Sequence, residues 1–415
     1  MLSRTWLLSI ALIPLVACAS TERDDGDPSD DGEDGADYAP FDGKADGSSG
    51  LGGPVSFTAA CAPGPRITIG AVGDVLLHSP LQQQAIAKAS TGRFTSLWSP
   101  VKDLLAAADT QYANLEGPTA HGVNATGRDV PDPGFRFDNN VYGSYPQFNY
   151  HGSLEDDLLA TGFDVVSTAN NHAMDRRALG ADRTIERLRD AGLPFTGTRH
   201  RNESTASWST TTTARGFKLA WLACSFSTNG IPDAASQVLG CWEDEATVVA
   251  EIKKLRATPG IDAVIVTPHW GEEYTANPTR AQRDLGHRFL DAGATLVLGS
   301  HPHVLEPWEK YKTADGRETF AIYSLGNFVS GQVQLARRST ILLYVGLTRT
   351  ASGVVVNGVS YLPMIMNTHS GVRAVEAIDR AGGSVDSRRQ TVAMFGTKNL
   401  QDPAKPIATT PECAN

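Results

Sequence analysis

Five short apolar runs in this chain each break at a residue that binds metal well. They are RITIGAVGD, ending at Asp74; TQYANLEG, with Glu116; FDVVSTANNH, with Asn171 and His172; DAVIVTPHWG, with His269; and ATLVLGSHPH, with His301 and His303. Runs this short, rich in β-branched residues and bounded by glycine or polar residues, read as strands. Helical patterns lie between several of them, which makes neighbouring strands parallel. Parallel strands carry their binding loops at their carboxyl ends, so five such endings can meet in one crevice. Carboxylate, amide and imidazole groups gathered there suit a hard or borderline divalent cation.

The alternation is visible along the chain. Strands are expected at 66–72, 164–168, 262–267 and 295–298. Helices are expected at 80–89, 101–107, 179–191, 245–257 and 280–292, the last closed by Gly293. After residue 317 the pattern changes to strands with short turns, at 318–324, 340–348 and 354–362, as in an antiparallel or second sheet. A hairpin is expected from 205–213 and 217–224. Two sheets flanked by helices is the economical α/β architecture. The segment 117–150 is rich in Gly, Pro, Asn and Asp and has little periodicity. It follows Glu116 directly, and a loop of that length inside a domain is usually functional, so it is expected to roof the crevice and help select the substrate.

Composition bears on two questions. Hydrophobic residues make up 41% of the 415 residues and charged residues 20%, which suits a folded protein with a substantial core. The formal charge of -10 is concentrated: residues 21–50 hold eleven Asp and Glu against Arg23 and Lys44. That stretch is too polar and too like-charged to bury a core, so 19–53 is expected to be a disordered acidic linker. No basic stripe with interleaved aromatics occurs, which argues against a nucleic-acid partner.

The first residues read as an export signal. Arg4 is a short positive region, and 6–16 is an apolar stretch too short to span a bilayer. It ends Leu15-Val16-Ala17-Cys18, which is similar to the lipobox of bacterial lipoproteins, where the cysteine is lipidated and becomes the new N-terminus. Residues 1–18 are then a lipoprotein signal peptide, and the mature chain sits at the cell envelope on a lipid at Cys18. Ala19 follows, a pattern that resembles release to the outer membrane. An ordinary signal with an incidental cysteine is the plainer alternative. The other cysteines, Cys61, Cys224, Cys241 and Cys413, are even in number and allow three pairings. Cys224–Cys241 would close a short loop and Cys61–Cys413 would tie together the ends of a domain over 61–415.

Each candidate ligand has a bland reading. Asp74 and Asn171 could cap helices, Glu116 could pair with a surface cation, and a lone histidine after a strand is often solvated. His301-Pro302-His303 is the most specific piece, because two imidazoles two residues apart can share one ion or reach two. Five strand ends sharing one accident is the weaker explanation of the set.

The segments GDVLLH, NLEGP, STANNHAMDRRALG, VTPHWGEEY, GSHPHVLEPWE and IYSLGNF together resemble the bacterial capsule-synthesis proteins of the CapA, or poly-γ-glutamate biosynthesis, type. The resemblance covers roughly 66–330. It implies a four-layer α-β-β-α sandwich of metallophosphoesterase type with two divalent ions (Mn, Fe, Zn or Mg). It also implies roles: Glu116 as the bridging carboxylate, Asp74 and His303 on one ion, Asn171, His269 and His301 on the other, and His172 as general acid at the leaving oxygen. Such an ion pair polarises a phosphoryl oxygen and acidifies a water between the ions. The implied substrate is a phosphoester or an anionic surface polymer, with capsule-assembly partners. Two positions depart from the phosphoesterase pattern. Leu76 stands where a histidine is usual, with His78 two residues beyond, and Asn114-Leu115-Glu116-Gly117 replaces Gly-Asp-x-x-Asp. Glu272, Glu273 and Asn327 are candidates for outer support. A non-catalytic accessory that binds polymer or a membrane partner is the alternative from a different class. A serine hydrolase has little support, since Ile322-Tyr323-Ser324-Leu325-Gly326 lacks the first glycine of a nucleophile elbow.

Overall fold

The computed structural model describes residues 39–43, 50–381, 384–410 and 413. Residues 1–18, expected to be a signal peptide ending at Cys18, and most of the acidic stretch lie outside the described residues. Among the described residues no helix is long and apolar enough to cross a membrane.

The first sheet is seeded by β1 (Arg66–Leu76), whose run of apolar residues is buried on both faces. β2 (Thr110–Leu115), β3 (Val165–Ser167) and β4 (Phe195–Thr196) follow it in parallel. The connecting helices are α1 (Ser79–Ala87), α2 (Lys102–Leu105), α3 (Ser153–Thr161) and α4 (Arg177–Ala191). The second sheet runs from β5 (Ser209–Ala214) and β6 (Phe217–Ser225) through β7 (Ala263–His269) and β8 (Leu296–Leu298). It ends with β9 (Leu305–Lys312) paired to β10 (Glu318–Leu325). α5 (Glu245–Ala257) and α6 (Arg280–Ala292) are its crossovers, with the residue ranges the sequence predicts. α6 starts where it does because Thr279 and Gln282 form a reciprocal capping box.

The chain then returns to the first sheet. β11 (Asn327–Ser330) lies parallel to the end of β1 on the edge away from β2, and on that same edge β12 (Ser339–Thr350), β13 (Gly353–His369) and β14 (Val372–Ala377) add antiparallel strands. α7 (Leu335–Arg338) precedes β12; α8 (Ile378–Ala381) and α9 (Val385–Phe395) follow β14.

Three apolar layers hold these elements together. Between the sheets, Ile67, Ile69 and Tyr112 face Trp221, Ile265 and Ile322, with Tyr112 and Trp221 stacked at 5.5 Å. On the outer face of the first sheet, Ala113, Leu115 and Leu342 meet Leu81, Leu105, Leu158 and Leu188 of the helices. On the outer face of the second, Leu222, Val264 and Val266 meet Val248, Ile252, Leu285 and Phe289. The order is therefore helix, sheet, sheet, helix, the four-layer α/β sandwich expected.

Both disulfides form as expected. Cys224–Cys241 closes a local loop, and Cys61–Cys413 joins positions 352 residues apart. One expectation needs correction. Composition extends the linker to residue 53, whereas 39–43 and 50–53 are bonded to the folded domain. Asn277 Nδ2 donates to the Pro40 carbonyl (3.1 Å), Gly52 N–H to the Trp308 carbonyl (2.7 Å), and Trp308 Nε1 to the Gly53 carbonyl (2.8 Å). The composition of the acidic run hid two apolar anchors, Phe41 and Leu51, which pack on the domain.

Candidate metal centre

Backbone geometry places the first ligand. At Gly73 an added Cβ would lie 1.8 Å from the Gly326 carbonyl oxygen, so only glycine lets β1 and the start of β11 approach this closely. The β1 ladder shifts register next to Asp74, and that irregularity turns the carboxylate toward the strand ends. Glu116 follows β2, Asn171 and His172 follow β3, His269 ends β7, and His301 and His303 follow β8. The carboxyl ends of strands from both sheets thus meet at one place, as the sequence predicts.

The distances are those of a ligand cage. Asp74, Glu116 and His269 each offer an atom within 4.8 Å of the others', and so do Glu116, His301 and His303. Glu116 is common to both groups. His269 Nε2 lies 3.5 Å from Glu116 Oε1 and 2.9 Å from Asn171 Oδ1. His303 Nε2 is 4.0 Å from the same Glu116 Oε1. Ligand atoms about 2.1 Å from a tetrahedral ion sit about 3.4 Å apart, so these separations fit ions between them. All six predicted ligands come together, and Glu116 holds the middle position. The two groups set His269 with Asp74 and His301 with His303, whereas the resemblance implies Asp74 with His303 and His269 with His301.

The stronger indication is what is left unpaired. Asp74 Oδ2, both Glu116 carboxylate oxygens and His301 Nδ1 are buried and have no hydrogen-bond partner among the described residues. Buried polar atoms are nearly always paired, and an orphaned buried carboxylate is costly. Four such atoms at one spot fit a cation. The backbone carries a cost there too: His301 at φ 103 and His303 at φ 59 adopt conformations that non-glycine residues avoid.

A second ring of groups aims the ligands. Asn327 Nδ2 donates to the carbonyls of His303 and Arg337 and to Gln332 Oε1, which fixes its Oδ1 as an acceptor. That oxygen meets His303 Nδ1 at 3.0 Å and so puts the proton there, leaving Nε2 free to ligate. Ser300 Oγ backs His269 Nδ1 at 2.9 Å. Asn114 Nδ2 donates to Asp74 Oδ1 (2.8 Å), while Ser167 Oγ donates to Asn114 Oδ1 (2.7 Å).

Electrostatics follow the crowding. Burial, and the Glu116 charge beside it, push the Asp74 carboxyl above its ordinary range. Burial would raise Glu116 as well, but the imidazoles of His303 and His269 outweigh it and hold Glu116 below the usual carboxylate range. Burial, then the neighbouring imidazoles of His269 and His303, keep His301 far below its ordinary value and therefore neutral.

His172 stands beside this cage. Its Nδ1 meets Asp175 Oδ2 at 2.8 Å, and the Phe148 amide donates to the same oxygen at 2.6 Å. Burial opposes charge on this ring, but Asp175 raises its pKa above the ordinary value. Phe148 packs edge-on against both His172 and His78, so the 117–150 segment does line the pocket. The segment is held in place from behind: the Tyr150 hydroxyl donates to the Glu116 carbonyl (2.6 Å), and buried Arg176 donates to the carbonyls of Val141 and Gln147.

Leu76 is buried in the apolar layer and supplies no ligand. His78 belongs to neither ligand group. Its Nδ1 accepts the Gly331 amide at 3.1 Å, and burial draws its pKa down to about 4. Of the outer supports expected, Asn327 has that place, whereas Glu272 and Glu273 are exposed. Sequence reading missed Asn114, Asp175 and Ser300. Asn114 was within reach of a period-two argument, being two residues before Glu116 on one strand.

The chain is similar to curated proteins of capsule and polymer biosynthesis. It is 31% identical over 194 residues to the capsule biosynthesis protein CapA of Bacillus anthracis, covering 44% of this chain and 45% of that one. It is 26% identical over 298 residues to the PGA biosynthesis protein CapA of Bacillus subtilis, covering 68% of each. The chain therefore spans less than half the length of the first and about two thirds of the second. Among solved structures it is similar to the calcineurin-like phosphoesterase YfkN of Bacillus subtilis, at 12% identity and a TM-score of 0.41 over 80% of this chain and 96% of that one. A phosphatase from Mycoplasma pneumoniae gives 12% identity and a TM-score of 0.38 over 73% and 95%. The profile of one family matches residues 68–332, which contain every ligand of the cage. By that match over more than half its length, the chain belongs to the bacterial capsule synthesis protein PGA_cap family.

Proposed function

We propose that this chain is an exported, lipid-anchored protein of capsule or poly-γ-glutamate biosynthesis, and that its cage is a two-metal hydrolase-like centre. Its substrate is a phosphoester or an anionic surface polymer. The observation that carries this reading is Glu116: buried, shared by both ligand groups, and with neither oxygen bonded. Divalent ions bound there supply Lewis-acid polarisation of a substrate oxygen and a more acidic water. Asp74, Asn171, His269, His301 and His303 hold and space them. His172, oriented by Asp175, delivers a proton to the leaving oxygen. Phe148 keeps that side of the pocket dry.

The test is direct. Protein purified from a native host is assayed for bound metal and for hydrolysis of a panel of phosphoesters and amide-linked polymers. The reading predicts bound Mn, Fe, Zn or Mg and a turnover that His301→Ala abolishes. Metal-free protein that turns over nothing would end it. The lipid anchor has its own test, since Cys18→Ser should move the protein from the membrane fraction to the soluble one.

One observation favours a second reading. With Leu76 packed in the core, the cage lacks the histidine that the phosphoesterase pattern has at that position. A site one ligand short suits a non-catalytic accessory that binds polymer or an assembly partner. That reading predicts that His301→Ala still supports polymer production in cells.

A further inference from the structure

The rim of the pocket carries a cation with nothing to hold. The Arg337 guanidinium carbon lies 3.4 Å from the centroid of the Tyr274 ring, close enough for a cation–π contact. Tyr274 is itself fixed to the cage. Its backbone sits at φ 65, its amide donates to the Pro302 carbonyl between His301 and His303 (2.8 Å), and its ring centroid is 6.0 Å from that of His303. The other end of Arg337 is tied to the same ligand, because its backbone carbonyl accepts from Asn327 Nδ2 (2.9 Å), whose Oδ1 meets His303 Nδ1. Both ends of the residue are therefore positioned relative to His303. Yet its guanidinium N–H groups have no acceptor among the described residues, and no described carboxylate lies within ion-pair distance. Glu272 and Glu273, on the same turn as Tyr274, are exposed and do not pair with it.

An arginine with a planar fork of five donors, its plane held against an aromatic ring and its donors free, suits recognition of a carboxylate or a phosphate. We infer that Arg337 is a specificity residue that grips a second oxyanion of the substrate, about one aromatic ring away from the group that reaches the cage. This rests on the proposed function for where the reacting group lies. The grip itself requires only that an anionic ligand enter the pocket. A ligand with a single anionic group engages the cage alone, and one with a second acidic group gains Arg337.

The experiment uses the full mature chain saturated with Mn²⁺ and compares wild type, Arg337→Gln and Arg337→Lys. Calorimetry measures binding of three probes: a triglutamate peptide, the same peptide fully esterified, and pyrophosphate. A charge-assisted pair is expected to weaken roughly tenfold to a hundredfold in Arg337→Gln for the anionic probe it reads. Arg337→Lys should recover part of that loss, the esterified peptide should bind all three proteins alike, and metal content should not change. Loss confined to the peptide identifies a carboxylate, and loss confined to pyrophosphate a phosphate. With a substrate that turns over, Arg337→Gln should raise KM and leave kcat. Equal affinity of wild type and Arg337→Gln for every probe would overturn the inference, and so would loss of metal in that variant, which would make Arg337 a mere support of His303. Absence of turnover in wild type bears on the hydrolase reading and leaves the binding comparison standing.

Discussion

Of the three glutamates fully buried among the described residues, Glu116 and Glu155 have opposite fates. Glu116 sits among His269, His301 and His303 with neither oxygen hydrogen-bonded. Glu155, on α3, accepts from the Thr119 hydroxyl, and no imidazole is among the groups that act most on its charge. Burial favours the neutral acid in both. At Glu155 nothing opposes it strongly and the pKa rises to about 8; at Glu116 the nearby imidazoles reverse the sign. A buried carboxyl alone is a structural group that keeps its proton. A buried carboxyl ringed by imidazoles stays charged, and it is balanced when a cation arrives. The difference lies in the neighbours, and the neighbours come from strand ends that only the fold brings together.

The largest test of this contrast is Glu116→Gln. It removes the shared ligand but keeps the shape. Since disturbing an outer-shell group costs roughly tenfold to a hundredfold, losing this ligand should cost about a hundredfold or more in metal affinity and in any hydrolysis, read by metal content and turnover. Retained metal and full activity would break the comparison.

The matching change at the other carboxyl is Glu155→Gln. A group whose folded pKa is raised contributes stability that is complete below its unfolded pKa, near 4.5, and lost as pH rises through about 8. Wild type should therefore lose stability relative to Glu155→Gln between those values, by a few kcal/mol at most, and the gap should be constant above pH 8. Denaturant melts at several pH values would show it. Parallel stability curves for the two proteins would mean that Glu155 is charged in the fold. Metal content should be the same in both.

A smaller effect belongs to the ring that aims the ligands. Asn327→Ala removes the acceptor that keeps the proton on His303 Nδ1, and metal affinity should fall roughly tenfold to a hundredfold while the fold persists. Unchanged affinity would show that His303 needs no such support.

The same contrast explains what could be read from the chain. The ligands were legible because metal chemistry uses few residue types and parallel strands deliver them at a fixed end. β1, α5 and α6 were legible from period and caps. β9 is not legible as a strand, because LEPWEKYK carries a proline and sets charged residues among apolar ones; its first four residues are buried, Glu306 included, and only its second half alternates toward solvent. α3, with its acidic SLEDDLLAT, emerges from a glycine-rich loop without a side-chain cap. Asp175 and Ser300 were missed because their role depends on which ring nitrogen each one faces, and no spacing rule encodes that. The hydrogen bonds of 39–43 and 50–53 were hidden by composition, since a few apolar anchors suffice to bind a segment that is polar on average.

The measurement that tests the central claim most directly is anomalous diffraction from crystals of protein purified with its native metal, supported by elemental analysis. The account predicts divalent-ion peaks on either side of Glu116, about 2.0–2.2 Å from its oxygens and from imidazole nitrogens of His269, His301 and His303. Full-occupancy protein with no peak there, and with the Glu116 oxygens bonded instead to water or protein donors, would contradict it.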